Sequence, residues 1–230
     1  MKENYRSLLV LGVVMAMVWS TWLISASWAN KKARGNQKLW NFEGIAVGQI
    51  PKNWKVEGTN QRGPLATWEV TTVKSAPSGE KVFALTNPNH DSGRTFNICW
   101  TDAVSFLNGE IEVRFKSNSG VVDQGGGVIW RAQDKDNYYI ARFNPLEENF
   151  RIYYVERGWR EKLASITINL PAGVWHKMTI IHKGTKIEGY LNDQKLLEIM
   201  DSTFTRSGGI GLWTKADAAT AFDDLLVETK

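Results

Sequence analysis

The stretch 125–155 constrains the fold more than any other part of the chain. It carries three runs, 128–132, 138–143 and 150–155, rich in Val, Ile, Trp, Tyr and Phe. Such side chains fit a pleated, half-buried surface. The links between the runs are short, and Asp134-Lys135-Asp136-Asn137 has the composition of a tight reversal. Three β-prone runs in close succession read as an antiparallel meander.

The rest of the chain keeps that rhythm. Strand-like runs recur at 39–42, 67–73, 82–85, 95–100, 110–116, 159–168, 175–182, 186–191, 195–199, 210–214 and 222–228. Turn residues fall between them, among them Ala76-Pro77-Ser78-Gly79, Arg157-Gly158 and Asn192-Asp193. In 110–116 the alternation is strict: Ile111, Val113 and Phe115 against Glu110, Glu112, Arg114 and Lys116. No amphipathic helical run exceeds two turns. The chain is therefore all-β, a sandwich or barrel of short antiparallel strands, and 230 residues suffice for one such domain with a full core.

Charge, once located, removes one class of partner. Of the 28 Lys and Arg, six (Lys2, Arg6, Lys31, Lys32, Arg34, Lys38) precede residue 39, as does Glu3 of the 24 Asp and Glu, which leaves 22 positive against 23 negative in 39–230. A nucleic-acid footprint needs its basic face on the folded part, so nucleic acid is not an expected partner. The N-terminal segment has its own logic. Lys2 and Arg6 precede an apolar run, 8–24, and Ser27 and Ala29 stand before Asn30. That is the layout of a signal peptide, 1–29, and implies a secreted or periplasmic protein. The alternative is an uncleaved membrane anchor over 8–28, close to the roughly 20 residues that span a bilayer. Residues 30–38 read as a basic linker and 39–230 as the domain. Cys99 is the only cysteine, so the domain has no internal disulfide and must hold by core burial or by a bound ion.

Two further segments carry a family likeness. One is Gly208-Gly209-Ile210-Gly211-Leu212-Trp213 followed by Phe222-Asp223-Asp224-Leu225-Leu226-Val227; the other is Trp175-His176-Lys177 followed by Ile187 to Lys195. Both resemble the closing strands of concanavalin A-like lectins and glucanases. Trp100-Thr101-Asp102 with Gly109 to Phe115 resembles the bacterial branch of 3-keto-disaccharide hydrolase domains. The resemblance covers roughly 39–230 and implies a concanavalin A-like jelly-roll sandwich of two antiparallel sheets, one of whose faces, the concave one, binds carbohydrate. It also implies an alternative activity, a glycosidase-like hydrolase on a modified (3-keto) disaccharide or glycan. Two departures count against catalysis. Laminarinase-type glucanases carry Glu-x-Asp-x-x-Glu, whereas Glu110-x-Glu112-x-x-Phe115 lacks the third carboxylate. Tyr139 and Ala141 stand where the hydrolase branch has an acid and an amide. No residue is therefore assigned as catalytic, and Glu110 and Glu112 beside Arg114 read as a surface ion-pair ladder.

The expected function is an exported, non-catalytic carbohydrate-binding domain. Strand alternation selects its site. Ile210 and Leu212 as core residues put Gly211, Trp213 and Lys215 on the opposite face; Arg131 and Gln133 are placed opposite Val128, Trp130 and Ala132. The phase of 138–143 stays open, with Tyr139 as a candidate. Trp213 is the expected stacking platform for a sugar ring, with Arg131, Gln133, Tyr139 and Lys215 as its partners and Gly211 leaving room. Trp130 is placed in the core. His176 and His182 share a strand face, about 20 Å apart at ~3.3 Å per residue, too far for one metal. Asp134, Asp136 and Asn137 could supply oxygens but read as a turn. Glu43 and Asp223, near the first and last strands, are the candidate ligands of a structural calcium.

Overall fold

The computed structural model describes residues 36–88 and 93–230. The signal-peptide or anchor expectation for 1–29, most of the linker 30–38, and His90 lie outside the described residues. Among the described residues no helix is long and apolar enough to cross a membrane.

Fifteen strands are formed by the described residues: β1 (Asn36–Trp40), β2 (Lys55–Thr59), β3 (Thr67–Thr72), β4 (Lys81–Asn87), β5 (Phe96–Phe106), β6 (Gly109–Ser119), β7 (Gly126–Asp134), β8 (Asn137–Asn144), β9 (Asn149–Glu156), β10 (Trp159–Thr167), β11 (His176–Lys183), β12 (Lys186–Leu191), β13 (Gln194–Met200), β14 (Gly208–Lys215) and β15 (Ala219–Thr229). They make two antiparallel sheets. One has the order β13-β12-β11-β6-β15-β4-β3, with β1 also on β15, and so eight strands; the other is the seven-stranded β10-β9-β8-β7-β14-β5-β2. The meander expected from 125–155 is the run β7-β8-β9, paired in sequence order.

Between the sheets lies the main core, and alternation decides who enters it. The eight-stranded sheet sends in Ile111, Val113 and Phe115 from β6, Met178 and Ile180 from β11, and Phe222, Leu225 and Val227 from β15. The seven-stranded sheet answers with Val128 and Trp130, then Tyr139, Ala141 and Phe143, then Phe150 and Ile152, then Ile210 and Leu212. Burying each large apolar side chain stabilises by about 1.5–3 kcal/mol. Trp130 is stacked on Tyr139, with ring centroids 5.6 Å apart, and its Nε1 donates to His182 Nδ1 at 2.9 Å. Burial, reinforced by the Arg131 charge, pulls the His182 pKa down to about 3, so the ring is a neutral core acceptor.

Two elements differ from the sequence reading. β2 is not among the strand-like runs of the sequence, because Lys-Val-Glu-Gly-Thr has one large apolar residue; it holds its place as an edge strand on β5. β1 begins inside the residues read as linker: Asn36, Gln37 and Lys38 pair with Thr229, Glu228 and Val227 of β15.

Candidate functional site

The same alternation loads the other side of the seven-stranded sheet. Phe96, Ile98 and Trp100 come from β5, Trp213 from β14, Ile129 and Ala132 from β7, Tyr138 and Ile140 from β8, and Tyr153 and Val155 from β9; together they form a second buried apolar cluster. A face buried on the side away from the main core needs a cover, and here loops and long polar side chains supply it. Thr59 Oγ1 donates to the Lys135 carbonyl and lies 2.8 Å from the Tyr138 hydroxyl. Asn60 Nδ2 donates to the Gly158 carbonyl at 2.8 Å, and the Gly158 amide to the Asp136 carbonyl at 3.0 Å. β2 and β10 are opposite edges of the sheet, so these bonds carry the chain after β2 across the face to the turn before β10.

A cavity opens on either side of that bridge. The first, about 530 Å³, is lined by Lys55, Glu57, Trp100, Asp102, Gln133, Lys135 and their neighbours. Its floor is the Trp100 indole, laid across Gly209 and Gly211: a Cβ at Gly209 would sit 2.8 Å from the ring, and one at Gly211 2.4 Å from the Trp100 Cβ. Trp100 Nε1 donates to Glu57 Oε2 at 2.7 Å, and Lys55 Nζ stands 3.9 Å from the ring centroid. The acids here are occupied. Lys55 donates to Asp102 at 3.0 Å and holds its pKa down by that bond and by its charge. Lys135 pairs with Asp136 at 2.6 Å, and Asp134 accepts from the Asp136 amide and the Asn137 side chain, closing the turn.

The second cavity, about 550 Å³, is lined by Asn60, Arg62, Arg94, Phe96, Trp159, Arg160 and Lys215, with Gly93 and Gly158. Arg160 dominates it. The guanidinium carbon is 4.5 Å from the ring centroid of Tyr153, 5.0 Å from Phe96 and 5.9 Å from Trp213. Its Nη1 is buried and has no hydrogen-bond partner. Burial pulls the Arg160 pKa down from its usual value. Beside it Trp159 is 80 % exposed, held by the turn in which Arg157 and Gly158 take positive φ. Beneath, the buried Arg142 donates to Asn149 Oδ1 at 2.9 Å, Glu147 Oε2 at 2.8 Å and the Tyr153 hydroxyl at 3.1 Å. Burial works to raise the Glu147 pKa, but the Arg142 bond and charge outweigh it and hold it at about 2.

The residues expected to bind sugar separate on this surface. Trp213 does face away from Ile210 and Leu212, but it is wholly buried in the second cluster and offers no platform. The room expected at Gly211 is filled by Trp100. Arg131 is corrected as well: it sits at φ 47° in a β-bulge that shifts the β7–β8 register between Trp130 and Asp134. The bulge turns Ala132 to the outer cluster and sends Arg131 into three carbonyls, Leu107 at 2.9 Å, Phe204 at 2.6 Å and Gly184 at 2.9 Å. Tyr139 faces the main core and donates its hydroxyl to Asp201, so it too is withdrawn from ligand. Gln133 lines the first cavity while donating to the Ser207 carbonyl, and Lys215 lines the second, 3.4 Å from Asp123.

Glu43 and Asp223 meet neither cavity. Glu43 Oε1 accepts the Glu80 and Lys81 amides, and Asp223 accepts the Ser78 amide at 3.1 Å, so both serve one turn. Burial raises the Asp223 pKa to about 6. Among the described residues no group of three or more His, Cys, Asp or Glu gathers as a metal cage. Trp159 escaped the sequence reading because it opens a weak strand; the signal was the Arg157-Gly158 turn directly before it.

A family model described as a 3-keto-alpha-glucoside-1,2-lyase-like domain matches residues 35–228. The chain belongs to that family. Among curated proteins no sequence matches it. The lyase-like domain shares its fold with the carbohydrate-binding module CBM66 from Bacillus subtilis, at 18% identity and TM-score 0.58, over 76% of this chain and 95% of that one. It is similar to the β-glucanase of Bacillus licheniformis, at 13% identity and TM-score 0.56, over 85% and 99%. A Bacillus subtilis protein of unknown function with a galectin-like fold matches at 16% identity and TM-score 0.53, over 77% and 90%. These likenesses fix the architecture as a concanavalin A-like jelly-roll sandwich.

Proposed function

We propose that this lyase-like domain binds saccharide on the outer face of its seven-stranded sheet, in the cavity lipped by Trp159. The observation that carries the reading is the 80 % exposed Trp159 beside a 550 Å³ cavity lined by Asn60, Arg160 and Lys215. A sugar presents C–H faces that pack on an aromatic plane and hydroxyls that need polar partners, and this lip offers both. Trp159 takes the role first expected of Trp213. Among the described residues that line this cavity none is acidic, so these residues supply no general acid for glycoside cleavage. The fold shared with a carbohydrate-binding module supports the reading.

The test is a glycan array followed by calorimetry. Trp159→Ala should weaken the selected glycan about tenfold or more, which is at least 1.4 kcal/mol, with an unchanged melting midpoint. No retained glycan on the wild type would sink the reading. Export belongs to the same proposal, supported by the 1–29 segment; the mature N-terminus should be Asn30, and full-length protein held in the membrane would mark the anchor instead.

A second reading places chemistry in the first cavity. A lyase acting across C1 and C2 of a 3-keto sugar must take the C2 proton, which the neighbouring ketone acidifies, and so needs a base. Of the acids lining that cavity, Asp102 and Asp136 are paired with lysines and Asp134 closes its own turn; Glu57, whose Oε2 accepts from Trp100, is the carboxylate left for that role. Consumption of a 3-keto-disaccharide by the wild type and its loss in Glu57→Gln would establish this reading. An inert wild type would end it.

A further inference from the structure

We infer that the outer face of the seven-stranded sheet recognises saccharides by length. A chain longer than a disaccharide lies across the bridge that divides this face, with one end on Trp159 in the second cavity and the other in the first cavity, above Trp100. The inference rests on the saccharide reading above and adds a second subsite and a minimum length to it.

Three observations lead there. The first is how closely the two cavities adjoin. Gly158, which lines the second, donates its amide to the carbonyl of Asp136, which lines the first, at 3.0 Å. At this point a single hydrogen bond makes up the wall between them. Gly158 also lets the bridge close so tightly: its φ is +79°, and a Cβ there would sit 2.7 Å from Asn60 Oδ1. The second observation is size. At about 530 and 550 Å³, each cavity is in the range that holds one small ligand. A mono- or disaccharide fills one of them, and a longer chain has to reach the other. The third is the make-up of the first cavity. Its floor is an indole held flat by the clearance at Gly209 and Gly211 and by the bond from its Nε1 to Glu57. The side chain over that indole is Lys55, 43 % exposed and paired with Asp102, itself 70 % exposed. Exposed pairs of this kind are weak, so Lys55 can move off the ring at little cost. Around the rim stand Ser105, Gln133, Lys135 and Ser207, which bring hydroxyl, amide and ammonium groups.

A linear oligosaccharide fits this arrangement. Each of its units repeats one pair of surfaces, a C–H face and a set of hydroxyls. The outer face of the sheet repeats the matching pair on either side of the bridge: Trp159 with Asn60 in the second cavity, and Trp100 with Lys55, Gln133 and the two serines in the first. Asn60 stands at the crossing. It is exposed, and its Nδ2 is spent on the Gly158 carbonyl at 2.8 Å, so the bridge keeps its shape while a sugar unit passes over it. Once one end of the chain is bound, the other end is held at high effective concentration beside the second subsite, and the gain from a longer chain exceeds that of one added contact. A ligand confined to one cavity obtains none of that gain.

The experiment is calorimetry on the wild type with linear gluco-oligosaccharides, from the disaccharide to the hexasaccharide, in the cello, malto and laminari series, run beside the glycan array. In a series that binds, affinity should step up about tenfold or more, a difference of at least 1.4 kcal/mol, at the member that first spans the bridge, and level off beyond it. Ser105→Leu and Ser207→Leu, at two exposed positions on the first cavity, should each narrow that cavity. Both should bring the longer members down toward the disaccharide, whose affinity for the second cavity stays at its wild-type value, with unchanged circular dichroism. Trp159→Ala should weaken every length. An affinity that stays level from disaccharide to hexasaccharide would overturn the length reading and leave saccharide binding standing. An array that retains glycans by a single terminal sugar, whatever follows it, would do the same. A step that survives both serine variants would place the added units outside the first cavity and overturn the assignment. An empty array, with no member of the three series bound, would end both readings.

Discussion

The two sheets turn different faces outward. The eight-stranded sheet settles its charges internally: Lys177 pairs with Glu112 at 3.5 Å and with Asp193, and Lys186 and Lys195 both meet Glu188, at 2.9 and 2.8 Å. Its apolar share is a small cluster of Val82, Ala84 and Ala221 with Trp175 packed against it. The seven-stranded sheet carries ten buried apolar and aromatic residues on its outer side, roofed by Arg142, Arg160 and the loop after β2. The paired Lys and Glu of this face spend their charges on one another, and such exposed pairs contribute about 0–1 kcal/mol each. A face of rings under guanidinium groups keeps hydrogen-bond donors unspent. The difference teaches that the site is marked by an incomplete pairing more than by any catalytic motif.

The sharpest way to break this contrast is to remove one tryptophan from each face. Trp213→Ala should destabilise the domain by about 3–5 kcal/mol, the range for a fully buried large side chain, because the indole fills the floor of the second cluster. Trp175→Ala, on the half-buried patch of the other sheet, should cost about 1–2 kcal/mol. Urea melts of the two variants decide it. Equal losses would mean that the outer cluster of the seven-stranded sheet is no core at all.

That first prediction also shows where sequence reasoning stops. Alternation told correctly which way Trp213 points, since Ile210 and Leu212 enter the main core. It says nothing about whether the face so reached is covered, and here Arg160 and the 59–61 segment cover it from distant parts of the chain. Alternation failed outright at Arg131, because a bulge adds a residue to one strand and reverses the count beyond it. The positive φ at Arg131 leaves no trace in the composition of the run Ile129-Trp130-Arg131-Ala132. β2 was hidden for a simpler reason: an edge strand with lysine and glutamate on it has no apolar signature to read. The layered architecture, by contrast, was legible, because turn residues and two-residue periodicity recur along nearly the whole domain.

Acid should separate the faces by sign. Glu147, beside Arg142 on the seven-stranded sheet, titrates at about 2 in the folded chain, below the ~4.3 of an unfolded glutamate. Its contribution is present above that unfolded value and is lost as pH falls from about 4.3 to 2. Asp223 on the eight-stranded sheet is raised to about 6, above the ~3.9 of an unfolded aspartate. It costs stability at neutral pH, and that cost is relieved as pH falls from about 6 to 4. At about 1.4 kcal/mol per pKa unit the Asp223 contribution is about 3 kcal/mol, and that of the half-exposed Glu147, screened by solvent, about 1 kcal/mol. Neutral His182, at about 3, adds a loss between about 6.5 and 3 that belongs to the core between the faces. Melting midpoints against pH should therefore flatten between 6 and 4 in Asp223→Asn, and below about 4.3 in Glu147→Gln. The same window changing in both variants would refute the opposition.

The smallest effect expected is that of calcium. Glu43 and Asp223 both spend oxygens on the amides of the 78–81 turn. Melts in calcium and in a chelator should agree within error. A rise with calcium would follow from mass action on the folded state and would reveal a cation binder in the eight-stranded sheet, which the contrast between the faces does not anticipate.

The position of β15 bears on how the protein is made. The last strand of the domain is a central one: it pairs with β6 along one edge, and with β4 and β1 along the other. A chain emerging from the ribosome can form the hairpins of β7 to β10 and of β11 to β13 early, since their partners are neighbours in sequence. It cannot join β3 and β4 to the rest of their sheet until residues 219–229 appear. Contacts of such long reach form late. The eight-stranded sheet thus stays in two separate pieces until residues 219–229 have been made, and its folding is timed by its central strand.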